Sequence, residues 1–311
     1  MTAWRALLFE FSAMASPCSI RIETRDEHAA TKAAQAAISE VQRIEMKYSR
    51  YLSTSVISKI NDTAGGSPVA VDEETATLLN FADQLWRLSD GLFDATSGGL
   101  RKVWNFKQAV LPNRAQLAQA LTRIGWAEVH HSAAKCRLAH AGMELDFGGF
   151  GKEYATDRAA GILQQYGVEH ALVNLGGDIH ALGCHGLPEL AGQAWKVEVQ
   201  HPRRGQASLA GIDLYGGGMA TSGDYERFFE LDGKRYCHVL DPRTGWPVTY
   251  WQSISVLAPN TTMAGALTTI TMLKGAQGLA WLEEQDVSYM AVRHDGVVHE
   301  NMSNRVAAST Y

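Results

Sequence analysis

Apolar residues recur along this chain with two different periods, which separate predicted helices from predicted strands. Between residues 27 and 49 they return every three or four positions, which predicts an amphipathic helix with Asp26 as its N-cap. The same spacing predicts further helices at 73–89, 114–124, 152–165 and 262–284. A loop is expected at 61–68, where small and polar residues replace the apolar repeat.

Alternating or short continuous apolar runs predict the strands. They lie within 6–24, as one strand or a hairpin arm, and at 171–174, 195–200 and 253–257. Asp232-Gly233 and Asp295-Gly296 are dipeptides typical of hairpin turns. Strands joined by hairpins and separated by helices predict an α+β fold of antiparallel sheets packed with helices. Since no linker or repeat divides the sequence, we predict a single domain over 1–311, in two closely packed parts whose boundary the sequence does not mark.

Composition narrows the class of protein. Of the 311 residues, 46% are hydrophobic and 20% charged, as in ordinary globular proteins. A net charge of −5 without a basic block argues against a general nucleic-acid or membrane-surface binder. No run of 18 apolar residues predicts a membrane span.

The four cysteines are far apart and show no metal-ligand spacing, so we predict reduced and mostly buried thiols. The first residues form a poor signal peptide, because Glu10 interrupts the apolar run and Pro17 precedes Cys18. We therefore expect a cytoplasmic protein, or a periplasmic one if Met1 is not the natural start.

Polar residues of varied kinds crowd into residues 219–247, "MATSGDYERFFELDGKRYCHVLDPRTGWP". The sequence predicts a small-residue turn at its start, then a hairpin, then a turn begun by Asp241 and Pro242. Turn formation explains Asp241 but neither His238 nor Arg243. A histidine can accept a proton from a hydroxyl, and an arginine can hold a phosphate by two parallel hydrogen bonds. The alternative for His238 is a hydrogen-bonded structural residue.

A second group of motifs is rich in glycine. "LDFGGFGKEYATD" begins at Leu145, and its glycines allow a ligand to approach the backbone where Lys152 can counter phosphate charge. The simpler interpretation is a helix N-terminus behind a packing turn. "LVNLGGDIHALG" begins at Leu172 and places Asn174 and Asp178 around a Gly-Gly turn, which a side-chain hydrogen bond can stabilise without any ligand.

Together with "FSAMASP", which begins at Phe11, these motifs follow the order found in the FAD:protein FMN transferases, often called the ApbE family, which the chain resembles over nearly its whole length. The resemblance implies an ApbE-like fold, related to the T-fold. It also implies protein flavinylation: FMN moves from FAD to a Ser or Thr hydroxyl of an acceptor flavoprotein and AMP is released, with help from Mg²⁺.

The same resemblance implies the site residues of this magnesium-dependent transferase. Contacts to FAD or its flavin are expected from Met14, Tyr51, Leu92, Phe93, Asp94, Asp146, Lys152, Asp178 and Val239. The Gly149 carbonyl is the implied magnesium ligand, a donor that suits a cation preferring oxygen. His238, Asp241 and Arg243 are the predicted catalytic residues, with either His238 or Asp241 as the base.

One position departs from the family pattern. Relatives carry an Asp followed four residues later by a Thr on one helix, so both oxygens reach the metal from the same face. Here Gly265 replaces the Asp while Thr269 remains. Three outcomes are open: weaker metal binding, rescue by another carboxylate, or a protein that binds or hydrolyses FAD without transferring FMN.

Overall fold

The chain alternates between β-hairpins and single helices. A computed structural model describes residues 3–205 and 207–302. The helices are α1 (Glu27–Tyr48), α2 (Val56–Asp62), α3 (Glu73–Leu88), α4 (Arg114–Leu121), α5 (Gly151–Gln165), α6 (Thr261–Lys274) and α7 (Gly278–Glu283). The strands are β1 (Arg5–Ala13), β2 (Ser16–Thr24), β3 (Val69–Ala70), β4 (Val129–His131), β5 (Lys135–Leu138), β6 (Ala171–Leu175), β7 (Asp178–Leu182), β8 (Trp195–Gln200), β9 (Ser208–Leu214), β10 (Gly217–Gly223), β11 (Phe228–Leu231), β12 (Lys234–Cys237), β13 (Trp251–Ala258), β14 (Ser288–Arg293) and β15 (Val298–Asn301).

An eight-stranded sheet forms the centre of the fold, in the order β1-β2-β6-β7-β10-β13-β14-β15. Every neighbouring pair in it is antiparallel. Shorter sheets pair β11 with β12, β8 with β9, and β3 and β4 with β5. The predicted α+β class with antiparallel sheets is confirmed.

Both faces of the central sheet are covered. α5 and α6 pack side by side on one face, where Ile254 and Leu267 share a core. The β8–β9 hairpin covers the other face, where Leu257 packs near Val197. This double cover explains why β13 is buried along its whole length and shows no polar alternation.

The prediction of one continuous helix at 262–284 is wrong. It ends at Lys274, and Gly275 has a φ of 56° before a short turn leads into α7. The Gly275 carbonyl then accepts a hydrogen bond of 2.7 Å from Trp251 Nε1. The left-handed backbone at glycine therefore interrupts a pattern that continues in sequence.

The small-residue turn predicted at the start of 219–247 is also wrong. Met219 and the residues that follow it belong to β10, a central strand between β7 and β13. The residue just before this segment must be glycine, because a Cβ on Gly218 would lie 2.1 Å from the Thr261 nitrogen at the start of α6. The segment therefore begins inside a strand packed against a helix, and not in a chain reversal.

Several other expectations are confirmed within the described residues. Asp26 caps α1 by accepting a hydrogen bond from the Ala29 nitrogen. β8 has its predicted bounds, and Asp232 and Gly233 have positive φ between β11 and β12. All four cysteines are free, and three of them are buried.

Helix α2 was not predicted, and α4 ends three residues earlier than expected. No helix in the described part of the chain is long and apolar enough to cross a bilayer.

Candidate functional site

A cleft of about 1090 Å³ opens where the β1–β2 turn, the start of α5, the β6–β7 turn and strand β10 meet. Its lining includes Met14, Tyr51, Leu92, Phe93, Asp94, Asp146, Gly149, Lys152, Asp178, His238, Val239 and Thr269. A second cleft of about 650 Å³ lies near Trp126 and His130 and contains none of the predicted site residues. The large cleft is therefore the candidate active site.

The start of α5 brings backbone and charge to the floor of this cleft. No side chain caps the helix N-terminus, and Gly149 lies so close to Phe93 that a Cβ would come 2.7 Å from the ring. Asp146 accepts hydrogen bonds of 2.9 Å from the Gly148 nitrogen and from the Arg50 guanidinium. Glycine at 149 thus makes room for the Phe93 ring, and the uncapped helix end offers backbone N–H groups to an anion.

Lys152 and Asp178 form an ion pair in the cleft, with Nζ 2.9 Å from Oδ2. Burial raises the pKa of Asp178 to about 6, although Lys152 opposes this shift. For Lys152, burial alone would lower the pKa, but the Asp178 and Glu153 carboxylates outweigh it and raise the pKa. At neutral pH the pair is thus charged, and Lys152 faces the cleft as a cation.

The β6–β7 turn presents Asp178 to this lysine. Gly176 and Gly177 both have positive φ, and the Gly177 nitrogen donates 2.8 Å to Asn174 Oδ1. This is the side-chain hydrogen bond that the sequence predicted. It fixes the turn so that the Gly176 carbonyl also faces Lys152, at 3.3 Å from Nζ.

Glu153 is the least satisfied acid of the cleft. Its Oε2 is buried and has no hydrogen-bond partner. Burial, followed by repulsion from Asp178, raises the pKa of Glu153 well above its ordinary value. Its carboxyl group lies over Gly265, because a Cβ built on that glycine would be 2.6 Å from Glu153 Oε1.

His238 also lines the cleft, just beyond β12. Its backbone nitrogen donates 2.9 Å to the Arg227 carbonyl, whereas Nδ1 is buried without a partner. Burial, reinforced by the positive charges of Arg101 and Arg227, lowers the pKa of His238 to about 4. The imidazole is therefore neutral at pH 7 and able to accept a proton.

Asp241 and Arg243 do not line the cleft. The Arg243 nitrogen donates 2.8 Å to Asp241 Oδ1, and the Gly245 nitrogen donates 2.7 Å to the Asp241 carbonyl. The Arg243 side chain is 62% exposed and approaches Asp241 at 3.4 Å. These contacts form the turn that Asp241 and Pro242 predict, and the catalytic assignment of both residues stays a prediction.

The residues expected to contact the flavin differ in how far they are exposed to solvent. Met14 has a φ of 51° and donates its backbone nitrogen 2.8 Å to Glu45 Oε1. Tyr51 is 78% exposed, with the Arg50 guanidinium 5.7 Å from its ring centre. Leu92 and Phe93 are buried and add apolar surface to the cleft.

Asp94 is held by the protein itself. Its Oδ1 accepts from the Thr96 nitrogen and hydroxyl, at 2.7 and 2.5 Å, and its Oδ2 accepts from the Trp126 nitrogen at 3.0 Å. Burial raises the pKa of this carboxyl group. Although Asp94 borders the cleft, its oxygens already have partners and stabilise the surrounding turn.

Sequence reasoning missed several polar residues of the cleft, among them Glu153, Arg101, Arg227 and Ser222. Ser222 Oγ lies 2.8 Å from Thr268 Oγ1 and 3.3 Å from Thr269 Oγ1, so it connects β10 with α6. An acid directly after Lys152 was the available signal for Glu153. Nothing in the sequence indicated that Glu153 lies against Gly265.

Comparisons with known proteins agree with this geometry. The ApbE family profile matches residues 14–291. The FAD:protein FMN transferase of Treponema pallidum is 35% identical over 83% of this chain and 76% of its own length. For the enzyme of that name from Klebsiella pneumoniae, the identity is 31% over 93% of this chain and 90% of the relative.

Solved structures give the same result. The ApbE protein of Thermotoga maritima superposes with a TM-score of 0.85 and 31% identity, over 96% of this chain and 97% of that one. A flavinyl transferase ApbE from Pseudomonas stutzeri superposes with a TM-score of 0.84 and 27% identity, over 96% and 95% of the two chains. The chain therefore belongs to the ApbE family.

Proposed function

We propose that this protein is an FAD:protein FMN transferase, which moves FMN from FAD onto an acceptor flavoprotein. Its relatives carry that name. The observation that carries the proposal is a single cleft combining a glycine-opened helix end, the Lys152 cation and a neutral, unpartnered His238. Such a cleft suits a dinucleotide with a negatively charged pyrophosphate next to a reacting hydroxyl group.

The reaction follows from these groups. A Ser or Thr hydroxyl oxygen of the acceptor forms a bond to the FMN-side phosphorus of FAD, while the bond from that phosphorus to the bridging oxygen breaks. AMP leaves with the bridging oxygen, and the His238 imidazole takes the hydroxyl proton. A neutral imidazole is already competent for this step, so no deprotonation has to precede it.

The remaining residues of the cleft position and neutralise the pyrophosphate. Phosphoryl transfer depends mainly on alignment and on compensation of phosphate charge. Lys152 provides a cation on the floor of the cleft, and Arg101 and Arg227 add positive charge near His238. The backbone of the glycine turn can approach the phosphate oxygens closely.

A divalent cation such as Mg²⁺ fits the donors of the cleft. Among residues 3–205 and 207–302, no three His, Cys, Asp or Glu side chains cluster as a metal cage. Mg²⁺ needs no such cage, because it is commonly held by one or two carboxylates together with substrate phosphates and water. The orphaned Oε2 of Glu153, the Thr269 hydroxyl and the Gly149 carbonyl would hold it. When bound, the ion would neutralise pyrophosphate charge and act as a Lewis acid.

The alternative of FAD binding or hydrolysis without transfer depended on the missing carboxylate at position 265. A carboxylate does approach that position, from Glu153. The relatives described above are named as transferases. No specific observation favours the alternative.

We further place the reaction in the cytoplasm. The four cysteines are unpaired, which is typical of proteins kept in a reducing compartment. Fractionation of cells that produce the untagged protein from its natural start tests this assignment, with recovery in the periplasmic fraction as the opposing result.

One incubation tests the function. The purified protein is mixed with FAD, Mg²⁺ and a candidate acceptor, and the denatured acceptor is examined for flavin fluorescence while free AMP is measured. We expect covalent fluorescence and AMP in equal amounts. AMP and FMN without labelled acceptor would establish hydrolysis instead, and unchanged FAD would reject the proposal.

A further inference from the structure

The contact between Gly265 and Glu153 carries an inference of its own. Gly265 lies on α6, one helical turn before Thr269, and Glu153 lies on α5 beside it. A Cβ at position 265 would come 2.6 Å from both Cγ and Oε1 of Glu153, and 2.9 Å from Cδ. A side chain at 265 and the present Glu153 carboxyl group therefore exclude each other.

The Glu153 carboxylate has no evident structural partner. Its Oε2 is buried without a hydrogen bond, and no ion pair to Glu153 occurs among the residues that the structure describes. The neighbouring Lys152 is instead paired with Asp178. A buried carboxylate oxygen without a partner is costly, because its hydration has been lost and nothing replaces it.

The surroundings of this oxygen supply the rest of a cation site. Glu153, Thr269 and Gly149 line the same cleft, and Thr269 is only partly buried. The Thr268 hydroxyl, by contrast, is used within the protein, where it donates 2.8 Å to the Gly265 carbonyl. Oxygen donors of the kind that a hard cation prefers thus line the same cleft, next to the contact between α5 and α6.

We propose that Glu153 supplies the carboxylate ligand for the divalent cation, so that the ligand comes from α5 instead of from position 265 on α6. The glycine at 265 is then the space that lets the longer Glu153 side chain reach the site. This proposal rests on the proposed flavin transfer and assigns one of its ligands. The carboxylate therefore lies at position 153 and the glycine at position 265, where relatives carry the carboxylate.

Metal affinity measured without turnover tests the proposal. The full-length protein is saturated with FAD in the absence of acceptor, and Mn²⁺ is titrated while electron paramagnetic resonance reports the free ion. Glu153→Gln is expected to weaken Mn²⁺ binding by about tenfold or more, because it keeps the shape and removes the charge. The control is Glu198→Gln, an exposed acid on the cleft wall, which should stay within about twofold of wild type.

A reciprocal exchange sharpens the test. Gly265→Asp alone should not strengthen Mn²⁺ binding, because the new side chain collides with Glu153. Glu153→Ala together with Gly265→Asp should recover most of the affinity that Glu153→Gln loses, which is the non-additivity expected of contacting residues. If Gly265→Asp alone tightens Mn²⁺ binding about tenfold while Glu153→Gln changes nothing, the proposal is overturned.

Thermal unfolding separates ligation from a structural role. Glu153→Gln should leave the melting temperature of the ligand-free protein unchanged or higher, since a buried carboxyl group without a partner is replaced. It should also lose the additional stabilisation that Mg²⁺ gives in the presence of FAD. A lower ligand-free melting temperature with an intact Mg²⁺ increment would contradict ligation. A wild-type protein that neither binds FAD nor transfers FMN would instead reject the proposed function.

Discussion

The turn of Asp241 and Arg243 and the glycine-rich cleft both contain polar motifs in the sequence. In the structure, their polar groups differ in whether they have hydrogen-bond partners. At the turn of Asp241 and Arg243, the carboxylate, the backbone nitrogens and the guanidinium satisfy one another. In the cleft, Glu153 Oε2 and His238 Nδ1 are buried without partners. The first region has completed its interactions by folding, whereas the second keeps donors and acceptors available for a ligand. A buried polar group that lacks a partner and also lines a cleft, rather than polarity alone, therefore indicates a ligand site.

The largest effect is expected at His238. His238→Gln keeps a polar side chain of similar size but removes the proton acceptor, so the transfer rate should fall by about 100- to 10,000-fold. Single-turnover formation of labelled acceptor measures this change. FAD affinity, measured in parallel, should remain close to that of wild type. Full turnover in the variant would remove His238 as the base.

Lys152 should show the next largest effect, because it is the cation on the floor of the cleft. Lys152→Met removes a charge-assisted contact with phosphate and should weaken FAD binding by about 10- to 100-fold. Lys107→Met, an exposed lysine on the same cleft, is the matched control and should lose about threefold at most. Calorimetric titration with FAD measures both.

The Lys152 variant also leaves Asp178 without its cation. The double variant with Asp178→Asn removes this buried charge and should regain stability without regaining FAD affinity. If the double variant binds FAD as tightly as wild type, Lys152 is a structural partner of Asp178 and has no role in holding the pyrophosphate.

A pH titration of stability probes the burial of His238. Its pKa is about 4 in the fold and returns towards the ordinary 6.5 on unfolding, so the unfolded chain binds the proton first as the pH falls. This group should therefore reduce the free energy of unfolding as the pH decreases from 6.5 to about 4, with no further contribution below that range. Chemical denaturation of wild type and His238→Gln measures the difference. His28→Gln, which alters an exposed imidazole on α1, should retain the wild-type pH dependence.

The smallest effects are expected at the self-satisfied turn. Arg243→Ala should change the free energy of unfolding by about 1 kcal/mol or less, because its ion pair with Asp241 is exposed. Asp241→Asn keeps an oxygen that can accept from the Arg243 nitrogen, and FAD affinity should remain within about threefold of wild type in both variants. A loss of tenfold or more would place this turn in the active site, as the sequence had predicted.

Local patterns predicted most elements because their causes are local. The helical repeat of α1, the alternation of β8 and the Asp232-Gly233 turn each depend on neighbouring residues. β10 could not be predicted in this way. Its glycine at 218 leaves room for the start of α6, a helix that comes later in the chain. The end of α6 at Gly275 depends likewise on a positive φ, which the spacing of apolar residues does not indicate.

The candidate site also combines features that depend on local sequence with features that depend on distant residues. The glycine turns and Lys152 could be predicted because they form compact motifs in sequence. The position of Glu153 could not be predicted, because it depends on a contact with Gly265, a residue on another helix. The resemblance to the family implied that a carboxylate was missing at position 265, but only the packing of α5 against α6 shows which residue occupies the space.

Calorimetric titration of FAD into the wild-type protein, the Lys152→Met variant and the Asp241→Asn/Arg243→Ala variant is the most direct test of the central claim. Charged and polar groups that line the cleft, and not the self-satisfied turn, should determine FAD binding. We expect one FAD per chain for wild type and the turn variant, with binding greatly weakened in Lys152→Met. Absence of heat for wild type, or equal losses in both variants, would contradict it.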